Sequence, residues 1–256
     1  MGKAVVSLSI DDSRLNFKNL FYESLLPLKI PSTINVVSGF VNGSVKRDGA
    51  KFLSNDQIRE FYRSGLIEVA NHSRSHTNDT SDIFLGHSDI CEMLEIDKNT
   101  SLGFASVGSE IKIDKANEIK PELTKLGVKY VRTEDSTKIK NSEELKSRYL
   151  LGDSDAYIEL QSHVFFKKGD FAISSLVLYR DVNDLKELKI LTDYAVKHKK
   201  RFCIMIHNVG RKEDSFYSNP WTFDLDRLKE YLEYIVELRK QEKLEILTVS
   251  DSLKAD

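Results

Sequence analysis

The chain has 256 residues, 40% of them hydrophobic, which is enough apolar material for one large core and too much for intrinsic disorder. Its 38 Lys plus Arg against 40 Asp plus Glu leave a net charge of −2, so no cationic excess exists to displace counterions from phosphates, and a nucleic-acid partner is not expected. The two cysteines, Cys91 and Cys203, are too few for a disulfide scaffold, lack the spacing of a thiolate metal site, and read as buried free thiols.

No apolar run approaches the ~20 residues that cross a bilayer. The start MGKAVVSLSIDD lacks a basic stretch followed by an apolar one, which points to a cytoplasmic protein. Only four prolines occur, and no Gly/Ser-rich linker or fixed-period repeat interrupts the chain, so residues 1–256 read as one domain.

Along that chain, strand patterns alternate with helical ones. Residues 4–10 put Val6, Leu8 and Ile10 on one face and Ser7 and Ser9 on the other, a period of two. A second strand is predicted at 33–41, followed by a capping-box pattern, Ser54 with Gln57, before Ile58, Phe61 and Tyr62 at helical spacing. The segment 66–71 is a third strand running straight into HSRSH. Further strands are predicted at 102–107, 129–133, 157–166, 172–179, 201–207 and 244–249. The clearest helices are 182–198 and 224–241, with leucines at helical spacing. Residues 150–180 lack an obvious helix and read as a local β-excursion.

Such alternation favours a parallel sheet covered by helices, closed as a barrel or open and doubly wound, with its site at the C-terminal ends of the strands. Three strand ends carry unusual groups: Asp11-Asp12, His72-Ser73-Arg74-Ser75-His76, and His207-Asn208. Two imidazoles four residues apart can both reach a divalent ion at about 2.0–2.1 Å, and a carboxylate completes a two-His, one-Asp set with coordination positions left open. Asp11 or Asp12 is the natural third ligand. The other aspartate is then placed to act as general base, and His207 as general acid.

These residues resemble the polysaccharide deacetylases of the NodB-homology type, carbohydrate esterase family four. Ser9-Ile10-Asp11-Asp12 is similar to the first family motif, T-F-D-D, and His72-Ser73-Arg74-Ser75-His76 matches the second, H-[S/T]-x-x-H, in full. Ile204-Met205-Ile206-His207 resembles the last, L-x-H, and LEILTVSDSL is similar to the closing strand. The resemblance implies a distorted parallel (β/α) barrel, commonly of seven strands. It implies Asp11 as catalytic base, Asp12, His72 and His76 as metal ligands, and His207 as catalytic acid. The implied reaction is metal-dependent hydrolysis of an N-acetyl group from a sugar of a surface polysaccharide or its precursor. Zinc is the default ion, with cobalt, nickel or iron also accepted by such sites.

The chain departs from the family at the third motif, R-x-P-Y-G, where Phe104-Ala105-Ser106-Val107-Gly108 has no arginine, proline or tyrosine. In the family that arginine pairs with the catalytic aspartate, and Arg132 or Arg74 could substitute. The fourth motif, which contains a tryptophan and an aspartate, is not evident, and Thr133-Glu134-Asp135 occupies its approximate place. Trp221, the single tryptophan, lies in the loop after His207, and it and Arg132 are the candidates for contacting substrate. The altered third motif leaves two other readings open: hydrolysis of another small amide or ester, or a non-catalytic carbohydrate-binding protein. The balanced charge suits a neutral glycan better than a polyanion.

Overall fold

The computed structural model describes residues 2–47, 49–137, 139, 142–180 and 184–255. Its first half contains β1 (Ala4–Ile10), β2 (Ser32–Val36), α1 (Asn55–Arg63), β3 (Ile67–Asn71), α2 (Thr80–Leu94), β4 (Leu102–Ala105), α3 (Ile113–Glu118), α4 (Lys120–Lys125) and β5 (Val128–Thr133). The second half contains α5 (Ser142–Leu150), α6 (Ser154–Leu160), β6 (Phe165–Phe166), β7 (Ala172–Ser174), β8 (Leu176–Val177), α7 (Leu185–His198) and β9 (Arg201–Ile206). It ends with β10 (Asn208–Gly210), β11 (Thr222–Asp224), α8 (Leu225–Lys240), β12 (Leu244–Ile246) and α9 (Val249–Ser252).

The alternating pattern of β1 explains its place at the centre of the sheet. Val6, Leu8 and Ile10 join one apolar cluster with Leu188 and Leu191 of α7 and Leu228 and Leu232 of α8. Burying each such leucine is worth about 1.5–3 kcal/mol. Successive strand residues face opposite sides, so Ser7 and Ser9 point into the ring, where Ser9 Oγ accepts a hydrogen bond of 2.7 Å from Asn35 Nδ2. Polar groups are thus already present inside the barrel beneath the strand end that carries Asp11.

Strands β9, β1, β2, β3, β4, β5 and β7 pair in that order, all parallel. The chain bends at Ser175: β7 pairs with β5, and β8, two residues later, pairs with β9. One segment therefore touches both ends of the row and closes it into a mostly parallel barrel. Strand β12 adds beside the first half of β1, at Ala4–Val6, whereas β2 pairs with the second half, at Ser9–Ile10. Counted with β7 and β8 as one bent strand, seven strands form the ring and β12 is the eighth. β6 lies antiparallel on the start of β9.

Several boundaries differ from the sequence pattern. The strand predicted at 33–41 stops at Val36, and Ser38–Val41 forms a helical turn. The strand predicted at 157–166 is helical as far as Val164 and extended only at Phe165–Phe166, and the stretch 150–180, read as a β-excursion, holds the helix α6 as well as the short strands β6, β7 and β8. Asp153 caps α6 by accepting from the amides of Asp155 and Ala156, and Tyr157 packs on Tyr149 of α5 with centroids 5.0 Å apart. Tertiary packing of that hairpin decides a stretch whose apolar period is ambiguous. Helix α7 begins with a capping box at Asp184, so the predicted start at 182 lies outside the described residues. Cys91 and Cys203 are buried and free. Among the described residues no helix is long and apolar enough to cross a membrane.

Candidate metal centre

The site forms where β1, β3, β5 and β9 end. After β1 the backbone turns through left-handed conformations at Asp12 (φ 70°) and Ser13 (φ 53°), and after β3 it does so again at Ser73 (φ 63°) and His76 (φ 64°). Non-glycine residues occupy this region at a cost, and persist there when surrounding contacts over-determine them. Here those contacts are visible. The His72 amide donates to the Val36 carbonyl at 2.9 Å, and Asn71 Oδ1 accepts from the Ser73 amide at 2.8 Å. Asp82 of α2 accepts from the Ser75 amide at 2.9 Å and from the Thr77 hydroxyl at 3.1 Å. The H-S-R-S-H segment is therefore pinned to the first turn of α2.

This backbone path brings Asp12, His72 and His76 together, with one donor atom from each within 4.8 Å of the others. His76 Nε2 is 3.3 Å and His72 Nε2 is 3.7 Å from the same oxygen, Asp12 Oδ1. His72 Nδ1 sits 2.8 Å from the Ala105 carbonyl, to which it must donate, leaving Nε2 with its lone pair turned to the cluster. Asp12 Oδ1 is buried and makes no hydrogen bond of normal geometry among the described residues. A buried carboxylate oxygen facing the His72 Nε2 lone pair, with the His76 ring nitrogen 3.3 Å away, is the kind of group that a divalent cation satisfies. The donor set fits such an ion. Burial holds the His72 imidazole down at about 4, so it is neutral and competent to ligate at physiological pH.

Asp11 is held from the opposite side. Arg132, from β5, is fully buried and donates through Nη2 to Asp11 Oδ1, which also accepts from Asn35 Nδ2 at 2.7 Å. Burial alone would raise the Asp11 carboxyl, but Arg132 outweighs it with its neighbours, and the group lies below its ordinary value. The free oxygen, Oδ2, is 4.0 Å from His72 Nε2 and 3.9 Å from His207 Nε2. His207, just past β9, packs edge-on against Trp221 with centroids 4.8 Å apart. Burial lowers its affinity for a proton.

Asp11, Asp12, His72, His76, His207 and Trp221 all line one cavity of about 820 Å³. Trp221 is 43% exposed there and also meets Tyr179, centroids 4.9 Å apart. Arg132 does not line the cavity, so the expectation that it touches substrate gives way to its contact with Asp11: its side chain lies wholly beneath the carboxylate. Arg74, the other candidate cation, instead pairs with Asp89 at 2.9 Å. The segment aligned with the third motif still reaches the cavity, through Ser106 and Gly108. Asp135 turns away to accept from the Ile113 amide and the Thr137 hydroxyl.

Sequence reasoning missed Asn35, Arg14, Arg47 and Tyr179. Asn35 gave one signal, a polar residue interrupting the apolar run of β2. Arg14 and Arg47, which flank Asp12 Oδ2 at 3.2 and 3.8 Å, gave none.

No family model and no curated protein matches the chain. Among solved structures it is similar to IcaB from Ammonifex degensii, at 23% identity and a TM-score of 0.41 over 50% of this chain and 58% of that one. It is also similar to the polysaccharide deacetylase BC0361 from Bacillus cereus, at 20% and 0.39, over 50% and 40% of the two chains. A family 4 acetyl xylan esterase from Clostridium thermocellum, in complex with a cobalt ion, matches at 15% and 0.47, over 97% and 89%. The match thus spans little more than half the length of IcaB and less than half that of BC0361. Two of these structural neighbours are described as a polysaccharide deacetylase and a family 4 acetyl xylan esterase.

Proposed function

We propose that the protein is a metal-dependent carbohydrate deacetylase that hydrolyses an N-acetyl group on a sugar of a polysaccharide or of its precursor. The observation that carries this reading is a ligand triad with a base and an acid on either side, all opening into one cavity. An amide carbonyl is a poor electrophile, and a divalent ion held by Asp12, His72 and His76, zinc in the first instance, would polarise it and lower the pKa of a water.

The protein's own groups account for the proton movements. Asp11, kept anionic and fixed in orientation by Arg132 and Asn35, takes a proton from the attacking water. His207, neutral at rest because it is buried, lies 3.9 Å from Asp11 Oδ2 and can receive that proton and pass it to the departing nitrogen. Trp221 and Tyr179 offer ring faces beside His207, suited to the apolar face of a sugar or to the acetyl methyl. Arg132 also favours catalysis over a lapsed binding role, because it restores a cation to the base that the altered third motif lacks.

The test is acetate release from N-acetylated oligosaccharides by protein loaded with zinc or cobalt, alongside elemental analysis. One ion per chain and a loss of at least about 10²-fold in turnover for Asp11→Asn are expected. Absence of a bound ion, or turnover unchanged by Asp11→Asn, overturns the reading.

A further inference from the structure

Two guanidinium groups beside the triad have more donors than the described residues use. Arg14 Nη2 is 3.2 Å from Asp12 Oδ2, which makes one charge-assisted hydrogen bond. Arg47 Nη1 approaches the same oxygen only to 3.8 Å, beyond hydrogen-bond reach, and this is its one ion pair among the described residues. Both line the cavity, and the Arg47 side chain is 43% exposed.

Both arginines are also held in place. Arg14 forms an isolated antiparallel bridge with Phe52, and its guanidinium carbon lies 5.1 Å from that ring. Arg47 lies 5.8 Å from the ring of Phe40, and the two phenylalanine rings are 4.6 Å apart. A guanidinium resting on an aromatic face keeps its N–H fork directed outward at low entropic cost. Fixing Asp12 needs one cation. With a second guanidinium and a divalent ion on the same carboxylate, four positive charges face the single negative charge of Asp12, an excess that a further anion would offset. Asp11 cannot be that anion, being matched by Arg132, and Glu134, at the end of β5 across the ring, is engaged by Lys112 at 3.4 Å.

We infer that the acetylated sugar carries an anionic group, phosphate or carboxylate, which seats against Arg14 and Arg47 beside the metal triad. This rests on the deacetylase reading and adds the charge of the substrate to it. Planar forks pair with two-oxygen anions in bidentate fashion, which a neutral hydroxyl cannot reproduce.

The experiment compares acetate release from matched N-acetylglucosamine oligosaccharides that are neutral, that carry a phosphate monoester, or that carry a uronate carboxylate on the adjoining sugar. At least one anionic substrate is expected to show a kcat/KM about tenfold or more above the neutral one, carried by KM and shrinking as salt is raised. The anion that is preferred identifies the source. Arg47→Gln is expected to remove most of that ratio, and Arg14→Lys, which keeps the charge but not the fork, part of it. Equal kcat/KM for neutral and anionic substrates, or variants that lower both alike, overturn the inference, since the arginines would then serve only Asp12. If no substrate releases acetate, calorimetric titration of Asp11→Asn protein with the same oligosaccharides separates the two ideas. Arg47-dependent preference for an anion keeps the anion seat at Arg14 and Arg47 as a glycan-binding feature while the deacetylase reading falls, and binding without that preference removes the inference.

Discussion

Arg132 illustrates how one residue carries a role that its local sequence does not announce. It sits in an ordinary strand, VKYVRT, and its charge has meaning only because β5 lies across the barrel from β1, where Asp11 ends the strand. Arg132→Met leaves a carboxylate buried without its counter-charge, a change that typically costs about 3–5 kcal/mol. Urea unfolding is expected to show that loss. In protein that still folds, the acid limb of the rate profile should move to higher pH, because the Asp11 carboxyl rises once its cation is gone. Arg132→Lys should recover part of both, which a purely volumetric role would not predict.

At the scale of elements, the second histidine motif depends on α2 as much as on its own residues. A Cβ added to Gly86 would lie 2.5 Å from Asn71 Oδ1, 2.7 Å from the Ser73 carbonyl carbon and 2.9 Å from the Arg74 amide nitrogen. Backbone at such a distance has to move, and the backbone in question carries His72 and His76. Gly86→Ala is therefore expected to weaken metal affinity by about 10–100-fold, the range typical of losing a ligand's supporting contacts, with far-ultraviolet dichroism little changed. Direct metal titration of the variant checks it; unchanged affinity would show that the loop does not rely on this close approach. The helices themselves were legible where leucine spacing is regular, as in α7 and α8. The α5–α6 hairpin was not, because its apolar residues follow a neighbouring surface rather than a clean period.

For the whole molecule, folding, metal and protons are linked. In the metal-free protein His72 titrates near 4 rather than at its ordinary 6.5, and burial lowers His207 and His163 in the same direction. Below pH 6.5 the unfolded chain binds protons that the folded protein refuses, so stability falls as pH drops from 6.5 towards 4. Asp11 and Asp12, also lowered from their ordinary values, extend the loss at more acidic pH. A divalent ion that binds the folded triad opposes this: at a free concentration of 100 times Kd it adds about 2.7 kcal/mol. Thermal unfolding with and without zinc, across pH 5 to 8, should show a metal-dependent rise in Tm that shrinks as the pH falls. No such rise would contradict ligation by this triad. The balanced net charge, which suggested a neutral glycan, averages over a surface whose wall at Arg14 and Arg47 is locally cationic; a sum over the chain carries no information about where charges meet.

The sequence by itself determined the alternation of strands and helices and the strand ends that carry Asp11, Asp12, His72, His76 and His207. Those features are local: a side-chain period of two or 3.6, and polar groups interrupting an apolar run, are written in consecutive residues. Tertiary structure decided what lies between those ends. It chose Asp12 as the carboxylate facing both imidazoles and Asp11 as the one facing Arg132, a division that adjacent aspartates in a sequence cannot express. It also closed the ring through the bend at Ser175 and brought Arg14 and Arg47 to one carboxylate oxygen. Distances between residues far apart in sequence are set by how the strands pair and the barrel closes, and the electrostatics of the site follow from those distances.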